Sequence, residues 1–202
     1  MIALLIAVLM GVLPLLHLAF SKVPRTPQRV VHILLLYALV FGVGVIGLPM
    51  GFIPHVFFPD QTAESIGWPT GSPFQFEVGL HDGAWGVLGF LCIWIGGLFW
   101  LATGLGWSLF MLGAAYGHIR ETVIKGDYAP YNFFTMFSDG FIGIWILVLL
   151  YLCWRQGGFR KQGDEVLLIG LPQAPLSPIY SSGRLAAGAF LANRVRSGRK
   201  QP

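Results

Sequence analysis

A run without charged side chains, residues 83–119, constrains this chain more than any other feature. It is 37 residues long and contains no Asp, Glu, Lys or Arg. A helix that crosses a lipid bilayer needs about 20 residues, so the run is too long for one such helix and slightly short for two with a turn between them. Two helices fit if the first begins upstream, near Phe74, and the second continues past Arg120. The run therefore predicts a pair of membrane-embedded helices.

The composition extends this prediction to the whole chain. Hydrophobic residues make up 55% and charged residues 11%, against about 25% charged in a soluble domain. These proportions exclude a water-soluble globule, and we predict an all-α fold, a polytopic bundle of about five transmembrane helices. The expected spans are residues 1–20, 30–50, 74–95, 97–122 and 139–154, with Ser138 or Asp139 as the N-cap of the last.

The basic residues predict the orientation. Eleven of the 13 Lys and Arg residues fall between the first two spans or after the fifth, which places these segments in the cytoplasm and the N-terminus outside. Residues 1–155 then form the bundle, and 156–202 form a cytoplasmic basic tail, irregular or partly an amphipathic helix. Since the net charge of +4 comes from this tail, it does not indicate nucleic-acid binding. The first segment lacks a basic leading region, which favours a retained span over a signal peptide.

Polar residues concentrate at the predicted outer face. The connection at residues 96–97 is short, so the third and fourth spans should form an antiparallel hairpin that brings the start of one level with the end of the other. Ionisable groups inside a membrane are costly and usually functional. The expected cluster, for a ligand or protons, comprises Gln75, Glu77, His81, Asp82, Tyr116, His118, Glu121 and Asp139. Residues 51–73 are expected to form an outer loop, with His55 and Trp68 in the interfacial belt.

The third span also carries a face of small residues. At 100° per residue Gly79, Gly83 and Gly86 fall together, with a spacing typical of close helix packing, while Gly89 falls on the flank. Asp82 and Gln75 lie beside this face and should point into the bundle, whereas Glu77 and His81 lie on the opposite face. The alternative is that these glycines have no packing role, because scattered glycine is common in membrane helices.

A metal site is one interpretation of the polar residues. Glu77, His81, His118 and Glu121 offer imidazole and carboxylate ligands, which suit zinc, iron or manganese. Their spacings are E-x-x-x-H and H-x-x-E, however, and differ from the E-x-x-H of di-iron bundles. The alternatives are a protonatable or small-ligand site, and a structural role in which the glutamates are solvated and His118 bonds a backbone carbonyl.

Two further sets of residues, histidines and cysteines, have types that bind cofactors or form disulfides. His17 and His32, together with the outer histidines, form two layers that could ligate haem, but haem is not favoured because its ligands usually sit deeper in long helices. Cys92 and Cys153 do not make a disulfide framework and are interpreted as small apolar residues.

Several segments between residues 65 and 150 resemble a family of small prokaryotic integral membrane proteins of unknown function. The most specific elements are SPFQFE, residues 72–77, and GAAYGHI, residues 113–119. The resemblance implies a multi-pass protein of the prokaryotic inner membrane and brings no established activity. The positions that it marks are Gln75, Glu77, Gly113, Gly117, His118 and Asp139.

No phosphate-binding loop, dinucleotide fingerprint or nucleophile elbow occurs in the sequence. The favoured hypothesis is therefore a non-enzymatic, accessory membrane protein that binds a small ligand, a lipid or a partner through the outer cluster and the glycine face. The alternative is a metal- or proton-dependent redox or transport component that uses His81, His118, Glu77 and Glu121. The expected partners are the lipid bilayer and a homo-oligomer or a larger membrane complex.

Overall fold

The computed structural model describes residues 2–22 and 24–159, and this part of the chain is built from six helices without a strand. They are α1 (Ile2–Phe20), α2 (Pro27–Phe57), α3 (Pro59–Ile66), α4 (Phe74–Leu91), α5 (Leu98–Lys125) and α6 (Pro130–Arg155). The all-α prediction is confirmed. The predicted basic tail begins at residue 156, and its part beyond Phe159 lies outside the described residues.

Three of the helices, α2, α5 and α6, are long and apolar enough to cross a membrane. Their ends differ from the predicted ones, most of all in α6. This helix begins at Pro130, a residue whose fixed φ and missing N–H suit the first helical position. Asp139 consequently lies inside the helix and is buried, so its predicted N-cap role is wrong, as is that of Ser138.

The second helix changes its winding along its length. It is α-helical over Pro27–Tyr37, a π-helix over Ala38–Phe52, and α-helical again over Ile53–Phe57. The N–H of Ile53 donates to the carbonyl of Leu48, five residues back, as π winding requires. Because α2 continues to Phe57 and α3 follows at once, the expected outer loop is instead largely helical.

The helices pack as two main pairs, α4 on the π-helical part of α2 and α5 on α6. Although α4 and α5 are joined by a short turn, in which Gly97 adopts a φ of 63°, their backbones approach each other at few points, and aromatic side chains such as Trp85 lie between them. The predicted α4–α5 hairpin is thus not a main packing unit. The apolar core between the pairs is formed by Met10, Leu35, Leu39, Val43, Trp107, Met111, Ile142, Ile146 and Leu149.

Glycines on both helices allow α2 and α4 to approach backbone to backbone. A β-carbon added to Gly86 would lie 2.7 Å from the Cβ of Leu48, and one added to Gly47 would lie 2.9 Å from the Cα of Gly86. Gly79 and Gly83 are also buried against α2. Gly89, expected on the flank, is buried as well, because Gly44 of α2 lies directly beside it. The glycine face of α4 is therefore occupied within the chain.

Candidate functional site

The centre of the site is formed by two neighbouring pairs of histidine and aspartate. His81 Nδ1 lies 3.1 Å from Asp82 Oδ1 on α4, and His118 Nε2 of α5 lies 3.9 Å from Asp139 Oδ2 of α6. The carboxyl groups of Asp82 and Asp139 are buried and interact electrostatically with each other. We call these four residues the His–Asp cluster. It lies where the α2–α4 pair meets the α5–α6 pair.

The close approach of α2 and α4 positions Asp82. A β-carbon added to Gly51 of α2 would lie 2.7 Å from the Cβ of Asp82, so a larger residue there would displace the aspartate. Asp82 lies beside the glycine face on α4, as predicted from the helical period. Its partner His81 is directed to the α5 side of α4, where its ring centroid is 4.2 Å from that of Phe110. The cluster therefore depends on the glycines of both helices.

An asparagine that the sequence did not single out orients His118. Asn132 is fully buried in the first turn of α6, and its Oδ1 lies 2.7 Å from His118 Nδ1. The amide nitrogen donates to the carbonyl of Asp127 and to Thr122 Oγ1, both at 2.9 Å. Since the carbonyl can only accept, the amide orientation is determined, and His118 Nδ1 must carry a hydrogen. Nε2 of His118 is the ring nitrogen on the side of Asp139.

A second residue that the sequence did not indicate, His55, ties α2 to the start of α4. His55 Nδ1 lies 2.5 Å from Oε1 of Gln75, a glutamine that is 2% exposed. Gln75 is on the same face of α4 as Asp82, two turns earlier, which corresponds to about 10 Å along the axis. The sequence placed Gln75 at the inner face but assigned His55 to a loop. The sequence around His55 contains no pattern that identifies a partner on another segment.

Three predicted site residues lie away from the cluster. Glu77 is exposed, and Tyr116 is 69% exposed. The carboxylate of Glu121 is paired with its own helix, 2.6 Å from Lys125 Nζ and 3.3 Å from Arg120. This i, i+4 pairing could have been inferred from the sequence.

The metal hypothesis has no support in the described part of the chain, where no group of three or more His, Cys, Asp or Glu residues is arranged to hold an ion. Glu77 is exposed and Glu121 is paired with Lys125, so neither carboxylate joins the histidines. The histidines near the opposite end have separate partners as well. His17 Nδ1 lies 3.1 Å from the Tyr37 hydroxyl, whereas His32 bonds Gln28 and Cys153.

The fold and the site define a class, an all-helical protein with three helices apolar enough to span a membrane and a buried polar cluster between them. The chain belongs to a family of unknown function, DUF6790, which matches residues 1–159. This match includes all six helices and the whole His–Asp cluster. No curated protein and no solved structure matches the chain.

Proposed function

We propose that the chain is a multi-pass protein of the prokaryotic inner membrane with five spans, its N-terminus outside and its basic tail in the cytoplasm. Helices α2, α5 and α6 supply three spans, and α1 and α4 would supply the others. The 18 residues of α4 extend about 27 Å, close to the thickness of the hydrocarbon layer. Gln75 and Asp82 of α4 are buried against α2, which reduces the cost of polar groups at this depth.

Reporter fusions test this topology. A reporter that is active only outside the membrane should be active when joined before Ile2 or after residue 126, and inactive when joined after residue 202. Activity of the fusion after residue 202 would contradict the orientation.

Within this topology we propose that the His–Asp cluster exchanges protons, as part of an accessory component of a membrane redox or transport system. One observation carries the proposal, two neighbouring His–Asp pairs whose carboxyl groups are both buried. Among the described residues, no Lys or Arg pairs with Asp82 or Asp139. One added proton per pair makes the cluster neutral, and loss of either proton leaves a net negative charge between the helices. An uncompensated buried charge is costly, so proton binding is coupled to the stability of the bundle.

The geometry also suits proton exchange better than a bulky ligand. In one pair the polar atoms are 3.1 Å apart and in the other 3.9 Å, so a proton can pass within a pair with little movement of the side chains. His81 connects the cluster to the outside of the bundle, because its side chain is 37% exposed while that of Asp82 is 11% exposed. The proposed proton path therefore begins at His81 and Asp82 and continues to Asp139 and His118.

Infrared difference spectroscopy over a pH titration tests the proposal. The wild-type protein in lipid should show the carbonyl band of a protonated carboxyl group that appears and disappears with pH. Asp139→Asn should remove or strongly weaken this band, whereas Glu77→Gln, at an exposed carboxylate, should leave it unchanged. A band that is insensitive to Asp139→Asn, or no titrating band in the wild type, would contradict proton exchange by the cluster.

A second candidate function, binding of a small ligand, is favoured by the surroundings of His81. Besides Phe110, the rings of Trp85 and Trp107 lie 6.2 Å and 6.4 Å from its imidazole. Trp107 is buried, and its indole N–H has no hydrogen-bond partner among the described residues. A ligand that brings an oxygen acceptor between aromatic rings would satisfy this donor.

Mass spectrometry of the protein released from detergent tests this second function. A small molecule that remains bound to the wild type and to Glu77→Ala, but is lost from His81→Ala, would support it. The same set of bound molecules in all three proteins would contradict it. Association into a homo-oligomer or a larger complex is also proposed and would use surfaces other than the glycine face of α4.

A further inference from the structure

A thiol and an imidazole meet at the other end of the bundle from the His–Asp cluster. Cys153, near the end of α6, and His32, near the start of α2, place Sγ and Nε2 3.6 Å apart, which is within hydrogen-bonding range for sulphur. Both side chains are buried, with 0% and 5% exposure. Cys153 follows Asp139 by 14 residues, or about 21 Å along the helix, so this pair is separate from the His–Asp cluster.

A backbone carbonyl sets the protonation of His32 on one side of its ring. Nδ1 lies 2.9 Å from the carbonyl oxygen of Gln28. A carbonyl only accepts, so Nδ1 carries the hydrogen and neutral His32 presents a lone pair at Nε2. That lone pair faces Cys153. A nucleophile, a base within hydrogen-bond reach and a third group that orients the base are the parts of an activated thiol.

Among the described residues, the backbone of the turn after α6 lies over the pair. Gly157 reverses the chain with a φ of 74°, and the N–H of Gly158 donates to the carbonyl of Cys153 at 3.0 Å. A β-carbon added to Gly158 would lie 2.6 Å from Sγ and 2.9 Å from Nε2 of His32. A fatty acyl chain or a bulky reagent therefore has no room beside the sulphur unless the turn moves far, whereas a molecule of two heavy atoms requires the smallest displacement of the turn.

We propose that Cys153, with His32 as its base, is an oxidation site for a small hydroperoxide such as hydrogen peroxide. Nε2 of His32 takes the thiol proton, the thiolate sulphur attacks one peroxide oxygen, and the O–O bond breaks as the S–O bond forms. The hydroxide that leaves takes the proton from His32 and becomes water. Sulphur is oxidised by two electrons to a sulfenic acid and the peroxide is reduced, so the reaction needs no other reactant.

The second cysteine is an internal control for this chemistry. Cys92, at the end of α4, is also buried, but its thiol bonds the hydroxyl of Thr103, which is not a base. The two thiols thus differ in their partner and not in their burial. Any difference in their oxidation can be assigned to the surroundings of the sulphur.

The experiment treats the full-length protein in detergent with limiting hydrogen peroxide and a sulfenic-acid trap, and quantifies both cysteines by peptide mass spectrometry. Cys153 should be trapped about tenfold faster than Cys92, because an unassisted thiol is only a few per cent thiolate at pH 7. His32→Gln should abolish this advantage. His17→Gln, which changes the other histidine at this end, should preserve it.

Equal trapping of the two cysteines, or an unchanged rate at Cys153 in His32→Gln, would overturn the proposal. If His32→Gln does not fold, the wild-type comparison still decides, since trapping of Cys92 at the rate of Cys153 is enough to refute it. A bulky maleimide provides a further check of how closely the turn after α6 packs over Cys153. It should react slowly with Cys153 in the folded protein, and rapid reaction would contradict the selectivity for small molecules.

Discussion

The two helix pairs of this protein are held together in different ways. Between α2 and α4 glycine faces glycine, and the two backbones are in contact. Between α5 and α6 large apolar side chains such as Met111, Ile142 and Ile146 fill the space, and Asn132 bonds the two helices at one end. The first pair depends on the absence of side chains and the second on their fit. In a membrane, where burial of apolar surface does not drive association, both close backbone approach and polar contacts stabilise helix pairs.

The difference has a consequence for the site. The glycine pair contributes Asp82, which rests against Gly51, and the side-chain pair contributes His118 and Asp139. The His–Asp cluster forms only because both pairs are in place. Changes in either pair should therefore alter it, but with different tolerance for added volume.

The largest effect is expected from filling the glycine pair. Gly86→Leu forces a branched side chain against the backbone of α2, where no flexible side chain can move away, so we expect a loss of about 3 kcal/mol or more and a failure to remain monodisperse. Gly113→Leu is the control, because nothing lies within 4 Å of a β-carbon at that position. Thermal unfolding and size-exclusion chromatography in detergent measure both. Equal behaviour of the two variants would refute the backbone contact between α2 and α4.

The next largest loss of stability is expected at Asn132, whose hydrogen bonds join α5 and α6 at one end. Asn132→Ala leaves the Nδ1–H of His118 without its partner and removes one of the two donors to the carbonyl of Asp127, the other being the Thr122 hydroxyl. We expect a loss of about 1–3 kcal/mol, the cost of unsatisfied buried polar groups. Tyr131→Phe, which alters an exposed neighbour, should have almost no effect. Unfolding midpoints in the same detergent compare them, and an Asn132→Ala midpoint equal to that of the wild type would show that the hydrogen bonds do not hold α5 and α6 together.

Replacing one glycine in each helix pair by alanine tests the difference between the two pairs directly. A β-carbon at Gly104 of α5 would meet only side-chain tips, those of Ile146, Leu150 and Leu39, at 3.0–3.1 Å. A β-carbon at Gly47 would meet the backbone oxygen of Asp82 at 2.6 Å. Gly104→Ala should therefore cost about 1 kcal/mol or less, since side chains can shift, and Gly47→Ala should cost clearly more. The reverse order in thermal unfolding would contradict the distinction between the pairs.

The smallest effect on stability is expected at the cluster itself. Asp82→Asn keeps the size of the side chain and removes one of two neighbouring buried charges, so the unfolding free energy should change by about 1 kcal/mol or less, with stabilisation allowed. Its pH dependence should decrease, because one proton-binding group is gone. Unfolding midpoints across a pH series check both points. Destabilisation as large as that of Asn132→Ala would mean that Asp82 is structural.

Much of α4 could be predicted because helical periodicity acts within one segment. The spacing of Gly79, Gly83 and Gly86 located the face that contacts α2, and Asp82 and Gln75 were placed beside it. The same reasoning could not name the partner helix. It therefore missed His55 as the partner of Gln75.

The assignment by depth failed for a different reason. The predicted hairpin brought the end of the fourth span, with Glu121, level with the start of the third, with Glu77, but the level of a residue does not determine which side of a helix it occupies. Lys125 at i+4 already neutralises this carboxylate. Asn132 was missed because its role depends on a short connection that folds α6 back onto α5.

The sequence by itself determined that this protein is helical and apolar, since a backbone surrounded by hydrocarbon must satisfy its hydrogen bonds within each segment. It also determined where small residues allow close approach. Only the tertiary structure decided that α4 pairs with α2 and not with α5, and that the two His–Asp pairs meet. Such pairing depends on the mutual fit of segments far apart in the chain, and the period of a single helix contains no information about its neighbour.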